Sequence, residues 1–418
     1  EGNTGTITLD EELSVSGPLT VYGGDIFVNQ GLNTTSGSTI GDILLKASGD
    51  ISLAGSKSII TNGGDVILWS DSDASGTTTS AGGTIALLNA SSISTSGGNI
   101  TLAGGLDDGG TLSGLSGLTA SDGIPDGYAM GAYSMTAHGA TNATAGLTLD
   151  KTALDAGTGN VILRGQGTGD GNNYQMGTRL YGGSITAQDI SIEAIGSIRG
   201  SSSSSWGLSL EGFTLEGSGN IAVNGKGGRA GSSNSDANQA GVEIRAALDN
   251  SSLHSKIKAT GNGTIAIKGI GGSGSLSTAN NLNAAGIRII SGQTNPIQSA
   301  SGAITLEGTS GYSGGGPGIL IESPISSTNG TINVKANQSI EGTLNQNGNI
   351  ELKSTVTTGA NLILESLGAV TQTAALTADR LGLIGSGSFT LTNTSNNITT
   401  LAGGDSTTKL GDLSYIDV

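Results

Sequence analysis

Apolar–x–apolar triplets, each introduced by glycine and a short polar residue, recur along most of the chain. The element Gly-(Asp/Asn/Thr)-(Ile/Val)-x-(Leu/Val) stands at Ile7, Ile26, Ile43, Ile51, Val66, Ile85 and Ile100. Strand side chains alternate between faces, so the outer two residues of a triplet share a side. Ile7 with Leu9, and Ile85 with Leu87, are predicted to point inward, and Thr8 and Ala86 outward. The Asp, Asn or Thr before the first apolar residue sits where a short side chain bonds neighbouring backbone, and the glycine before it tolerates positive φ. No stretch carries an amphipathic helical period. Short strands separated by turn residues predict an all-β chain.

The triplets are organised into a longer repeat. Gly302-Ala303-Ile304-Thr305-Leu306 leads through a glycine-rich excursion to Gly318-Ile319-Leu320-Ile321, and the pattern restarts at Gly330-Thr331-Ile332-Asn333-Val334. Earlier copies join Gly263–Ile267 to Gly286–Ile289, Gly219–Val223 to Gly241–Ile244, and Gly98–Leu102 to Gly146–Leu149. Repetition at this period predicts a solenoid whose coils of about twenty residues bury a continuous core by stacking. Stacked like positions give parallel pairing every ~4.8 Å, and crossovers between parallel strands are right-handed. The fold class expected is a right-handed parallel β-helix with loop excursions on one side. Residues 1–100 read as plain coils, 97–334 as coils with inserted glycine-rich loops, and 330–418 as plain coils, in one continuous solenoid. Excursions are expected at 104–145, 165–178, 200–206, 225–240, 269–285 and 308–317. The late coils have predicted cores at Ile332 and Val334, Ile350 and Leu352, Leu362 and Leu364, Leu381 and Leu383, Phe389 and Leu391, and Ile398 and Leu401.

Composition narrows the function classes. The 418 residues include 74 Gly, 5 Pro and no Cys, which removes disulfides, thiolate metal sites and thiol nucleophiles together. Seventeen Lys and Arg against 33 Asp and Glu leave a net charge of −16, which disfavours nucleic acid and anionic membrane as partners. No run approaches the ~18 apolar residues of a transmembrane helix, so membrane insertion is not expected. The chain opens without a basic, apolar leader, and its last strand-like segment, Leu413–Val418, lacks the polar cap of a solenoid end. An internal segment of a longer chain is the expectation.

Three stretches carry a family resemblance: Gly-Gly-Asp-Val-Ile-Leu (63–68), Gly-Gly-Thr-Ile-Ala-Leu-Leu (82–88) and Gly-Gly-Asn-Ile-Thr-Leu-Ala-Gly-Gly (97–105). With Ala-Gly-Thr-Gly-Asn-Val-Ile-Leu-Arg-Gly-Gln-Gly (156–167), they resemble filamentous-haemagglutinin-like exoproteins of two-partner secretion systems. The resemblance covers nearly the whole chain, but its motifs are architectural and bring no catalytic residues. It implies a right-handed parallel β-helix, export through an outer-membrane transporter partner, and adhesion or display. The localisation it implies is secreted, extracellular or on a bacterial cell surface.

Candidate chemistry is sparse. The two histidines, His138 and His254, lie far apart, which gives little basis for a His-based hydrolase or metal site. Asp71 with Asp73, Asp107 with Asp108, and Asp122 with Asp126 have the paired carboxylates that glycoside hydrolysis needs. They stand beside Gly and Ser, where Asp caps its own backbone, and calcium at the same turns is the lesser alternative. The glycine run at Gly225-Lys226-Gly227-Gly228 lacks the Gly-Lys-Ser/Thr ending of a phosphate loop. No cofactor, no metal and no enzymatic activity are expected.

Five aromatic residues fall inside excursions, Tyr128, Tyr133, Tyr174, Trp206 and Tyr312. They are the candidate binding residues, because flat rings offer apolar area with a polar handle. Each ring alone is more simply explained as an anchor of its loop, and Trp69 reads as structural. Phe27, Leu44 and Ile67 are expected to form an apolar strip on the first coils. Adhesion to a glycan or a surface protein is the expected function, with a structural shaft as the alternative and a carbohydrate-active enzyme behind both. End-to-end or lateral self-association fits either of the first two.

Overall fold

A computed structural model describes residues 5–35, 40–77, 82–110, 118–137, 140–168, 174–197, 204–230, 238–274, 284–311, 316–337, 348–404 and 407–418, without the side chains of residues 137, 140–142, 230 and 274. The described residues are strands and turns, with one short helical turn beside Ala284. The chain divides into two compact units, Glu1–Ser202 and Ser203–Val418, so the division falls inside the excursion-bearing part.

In the first unit every coil contributes a strand to each of three parallel ladders. The first ladder stacks Ile7–Leu9, Ile26–Val28, Ile51–Leu53, Ile85–Leu87, Ala140–Asp150 and Tyr174–Tyr181. Ile7, Ile26, Ile51, Ile85, Leu147 and Thr178 lie in one register column. The second ladder aligns Leu13, Leu32, Ile59, Ile93, Leu154 and Ile185. The third aligns Leu19, Ile43, Val66, Ile100, Val161 and Ile190. The second unit repeats the plan, with Val242, Ile287, Ile319 and Ile350 stacked in its first ladder. Ile257, Ile297, Ile325 and Val356 stack in its second, and Ile221, Ile265, Ile304, Ile332 and Leu362 in its third. Near its end, Leu376–Ile384 is one long strand that continues the second ladder and then the third. This is the expected parallel β-helix.

Alternation places the core as the triplets predicted. Ile7 and Leu9 are half-buried in the outermost coil, while Ile85, Leu87, Ile265 and Ile304 are fully buried; Thr8 and Ala266 are exposed. The outward positions are less uniform than expected. Ala86, Thr101, Thr148 and Leu320 are buried, so these outward positions are covered. Over Thr148 the cover is Met135, whose Sδ lies 4.0 Å from its hydroxyl. Leu401, predicted as core with Ile398, is exposed because a spacing of three puts it on the opposite face. The apolar strip of Phe27, Leu44 and Ile67 does not form. Leu44 and Ile67 are register neighbours on the third ladder, and Phe27 belongs to the first.

The Gly-(Asp/Asn) signature acts between coils. Asp42 Oδ1 accepts Asp65 N–H, Asp65 Oδ1 accepts Asn99 N–H, Asn99 Oδ1 accepts Asn160 N–H, and Asn160 Oδ1 accepts Asp189 N–H, at 2.7–3.2 Å. Asp25 and Asp50 do the same one corner away, for Asp50 N–H and for the backbone and hydroxyl of Thr84. The glycine before the acid is needed for a different reason than positive φ. Gly64, Gly98 and Gly159 do not have positive φ, but a Cβ on them would sit 2.4, 2.2 and 2.1 Å from the carbonyl oxygen of Gly41, Gly64 and Gly98 in the coil beneath. The preceding Gly63 and Gly97 supply the left-handed turn, with φ of 85° and 123°.

Candidate functional site

The predicted excursions leave at one junction, between the end of a third-ladder strand and the start of the next first-ladder strand. The strand end that opens this junction carries a small residue on coil after coil. Gly23 aligns with Ala47, Ser70 with Gly104, and Gly165 with Ala194. In the second unit Gly225, Gly269, Gly308, Ala336 and Ser366 form one column. Here the outgoing and returning backbones touch. A Cβ on Gly225, Gly269 or Gly308 would lie 2.1, 2.0 or 2.2 Å from the carbonyl oxygen of Gly241, Gly286 or Gly318. The glycine-rich openings noticed in the sequence are therefore pinched necks, closed by direct backbone contact.

The largest excursion proves to be an insertion within a strand followed by a hairpin. Val161–Gly167 pairs first with Ile100–Leu102 and then with Ala129–Gly131, so residues 105–127 interrupt what would be one continuous strand. Gly104 and Gly127 face each other in an antiparallel bridge at the neck. Tyr133–Ala137 then pairs antiparallel with Ala140–Asp150 before the first ladder resumes.

The insertion is fastened to the outward face of the third ladder. Trp69 Nε1 donates to Gly105 O at 2.7 Å, and Lys46 Nζ sits 3.6 Å from the Trp69 ring centroid. Arg164 Nη1 donates to Pro125 O at 2.7 Å, and Asp126 Oδ2 accepts Gly109 N–H at 2.7 Å. Arg164 aligns with Glu193 on the neighbouring strand, and Tyr128 Oη lies 3.4 Å from Glu193 Oε2. Burial pushes the Arg164 pKa down, opposed by the charges of Glu193 and Asp126. Burial pushes the Glu193 carboxyl up, opposed by Arg164 and by the Tyr128 hydroxyl. Tyr128 itself is pushed up by burial and then by Glu193.

The predicted binding rings separate into three groups. Tyr128 and Trp206 are 6% and 2% exposed, which corrects their reading as open platforms: Tyr128 anchors the insertion, and Trp206 is packed within Ser204–Glu211. Tyr133 and Tyr174 are half-buried. Tyr312 and His138 lie outside the described residues. His254 is half-buried in the turn before Lys256–Ala259. The structure thus brings Tyr133 and Tyr174 to strands of the same excursion edge in the first unit.

Four of the paired aspartates, Asp71, Asp73, Asp108 and Asp122, cap turns, while Asp107 and Asp126 bond backbone across the insertion. Asp73 Oδ1 accepts Ser75 N–H; Asp107 accepts the N–H groups of Asp122 and Gly123; Asp108 and Asp122 accept Gly110 and Ile124 N–H. Asp71 accepts Gly76 N–H at 2.9 Å and is 2% exposed. Burial pushes its carboxyl up to about 6, with Asp73 adding to the effect and the Gly76 and Ser75 N–H groups opposing it. Among the described residues, no group of three or more His, Cys, Asp and Glu is placed to hold a metal ion.

Two clusters escaped the sequence reading. One is Arg164–Glu193. The other is Glu243, fully buried on the outward face of the first ladder in the second unit. Arg245 Nη1 lies 3.1 Å and Arg288 Nη1 3.5 Å from its carboxylate, and Asn238 Nδ2 donates at 2.5 Å. The available signal was opposite charge at outward positions of adjacent copies, Glu243 against Arg288. No family model, curated protein or solved structure matches the chain.

Proposed function

We propose that this chain is a non-enzymatic β-helical attachment protein, secreted or displayed at a cell surface, which meets a glycan or a partner surface along its excursion edge. The observation that carries this reading is the single junction. In both units the predicted excursions leave between the third and first ladders, while most of the other corners are short turns, the longest exceptions being 34–42 and 246–255. Necks pinched by glycine let the excursions differ in length while the coils beneath keep their register. The anchors at Trp69, Arg164 and Tyr128 hold the 105–127 insertion in one place, as a contact surface requires. Among the described residues, the paired aspartates accept hydrogen bonds from backbone N–H groups, a structural use that gives a glycosidase no positive support. The resemblance to filamentous-haemagglutinin-like exoproteins supports the same reading and implies the outer-membrane transporter as the partner in export.

A structural shaft is the second reading, favoured by the burial of Tyr128 and Trp206. Glycan-array and cell-surface binding by the purified protein test the two. Replacing residues 106–126 by a Gly-Asn turn, and separately Tyr133→Ala and Tyr174→Ala, should each leave the melt nearly unchanged and reduce attachment. Attachment that survives all three changes makes the shaft the better reading.

A further inference from the structure

Among the described residues, the hairpin that closes the large excursion carries an edge with no strand beside it. Tyr133–Ala137 pairs with Ala140–Asp150 on one side, and among the described residues it pairs with no other strand. Its sequence, Tyr-Ser-Met-Thr-Ala, contains no charged residue and no proline, the usual guards against strand addition. The two faces of the strand differ. Met135 turns toward the first ladder, with Sδ 3.6 Å from Arg179 Nη1, whereas Ser134 and Thr136 are exposed. Tyr133 is held half-buried in an acidic setting: burial, then the charges of Asp150 and Asp50, push its hydroxyl pKa up.

We propose that this edge is a β-augmentation site for an extended, lysine- or arginine-bearing peptide segment of a partner protein. Five residues of strand span about 17 Å, which matches a short peptide that gains affinity from main-chain hydrogen bonds and specificity from alternate side chains. The same length is too small for a second solenoid, since stable protein interfaces bury upwards of about 1,200 Å². Charge sets the preference for a basic segment. The charges of Asp150 and Asp50 act on the Tyr133 hydroxyl, and the chain as a whole carries −16. Arg179 and Lys151 are turned to the Tyr181 ring, at 4.5 and 5.6 Å from its centroid. This inference rests on the excursion edge being the contact surface and narrows that contact to a polypeptide.

The test uses the whole chain with fluorescent six-residue peptides: alternating Val and Thr with two Lys, the same with two Glu, and the Lys peptide with a central Pro. The Lys peptide should bind and slow hydrogen exchange at residues 133–137. The Glu peptide should bind about tenfold more weakly, a gap that closes as salt rises, and the Pro peptide should not bind. Thr136→Pro should abolish binding. Ser134→Lys, on an exposed side chain that the fold does not need, should weaken it if the proline disturbs the hairpin. Deleting residues 106–126 should leave peptide binding intact, which separates this site from the attachment role of that insertion. Failure of the Lys peptide to bind at millimolar concentration overturns the proposal, as does equal binding by Ser134→Lys and wild type. A concentration-dependent dimer that protects the same strand would also overturn it, and would make a second copy the occupant.

Discussion

At the scale of single residues, the fold depends as much on what is missing as on what is buried. A Cβ on Gly302 would lie 1.8 Å from Gly263 O, and a Cβ on Gly330 1.9 Å from Gly302 O. Gly302→Ala should therefore force neighbouring coils apart and cost several kcal/mol, more than an ordinary glycine-to-alanine change. Thermal melts of Gly302→Ala beside Gly31→Ala, where an added Cβ meets nothing nearer than 3.6 Å, check this. Asp71 gives a pH dependence of definite sign. Its carboxyl titrates at about 6 in the folded chain against 3.8 as a free group, so the folded state holds the proton more tightly. Its contribution is most favourable below about pH 4 and is lost as pH rises through 6, by ~2–3 kcal/mol at most. Asp71→Asn keeps an acceptor for Gly76 N–H and tolerates the positive φ of 49°. It should raise the Tm at pH 7.5, change little at pH 4, and flatten the profile between. No such gain at pH 7.5 would show that the carboxylate is better solvated than its burial indicates. These effects were only half legible in the sequence. The Gly-Asp/Asn signature marked a turn, yet only stacked coils reveal that the glycine meets a carbonyl below and the acid caps the coil above.

At the scale of elements, strand existence and phase were readable and excursion architecture was not. Triplets announce themselves because apolar side chains alternate, so Ile85, Leu87, Ile332 and Val334 were placed in the core from sequence alone. The stretch from Gly104 to Ala145 misled because its strands carry Ala, Thr, Ser and Met in place of Ile, Leu and Val, and apolar alternation is the signal such reading uses. Its anchors were also hidden, since Arg164 and Glu193 become neighbours only when two coils stack. Their geometry makes a sharp prediction. Arg164→Met should strip Pro125 O of its donor and leave Glu193 half-buried without its cation, costing ~3 kcal/mol. Glu193→Gln in the same chain should recover part of that loss. Limited proteolysis should cut within residues 105–127 faster in Arg164→Met than in wild type, while the coils beneath stay intact. Equal cutting rates would mean that Trp69 and Asp126 hold the insertion without help from Arg164.

At the scale of whole units, each is built from coils that bond chiefly to the coils above and below, and this governs how damage spreads. In such solenoids stability is approximately a sum of coil terms and nearest-neighbour interfaces. Ile304 is fully buried between Ile265 and Ile332, and the strand that bears it also joins an alternating charge column, Lys268, Glu307, Lys335 and Glu365. Lys335 Nζ lies 2.9 Å from Glu365, and Lys268 Nζ 3.8 Å from Glu307. These pairs are partly exposed and add little energy, but a coil stacked one place out of order would set like charges together. Ile304→Asp puts an unpaired carboxylate into the core at a cost of several kcal/mol. Ala266→Asp or Thr305→Asp, on outward positions of the same stack, should be mild. Hydrogen exchange should find protection lost first in the strands bearing Ile265, Ile304 and Ile332, with the strands around Leu381 and Leu383 keeping theirs. Uniform loss across the second unit would mean that its coils unfold as one block, and that nearest-neighbour stacking alone does not describe it. Equal losses for Ile304→Asp and Thr305→Asp would instead put the inward and outward phase in error.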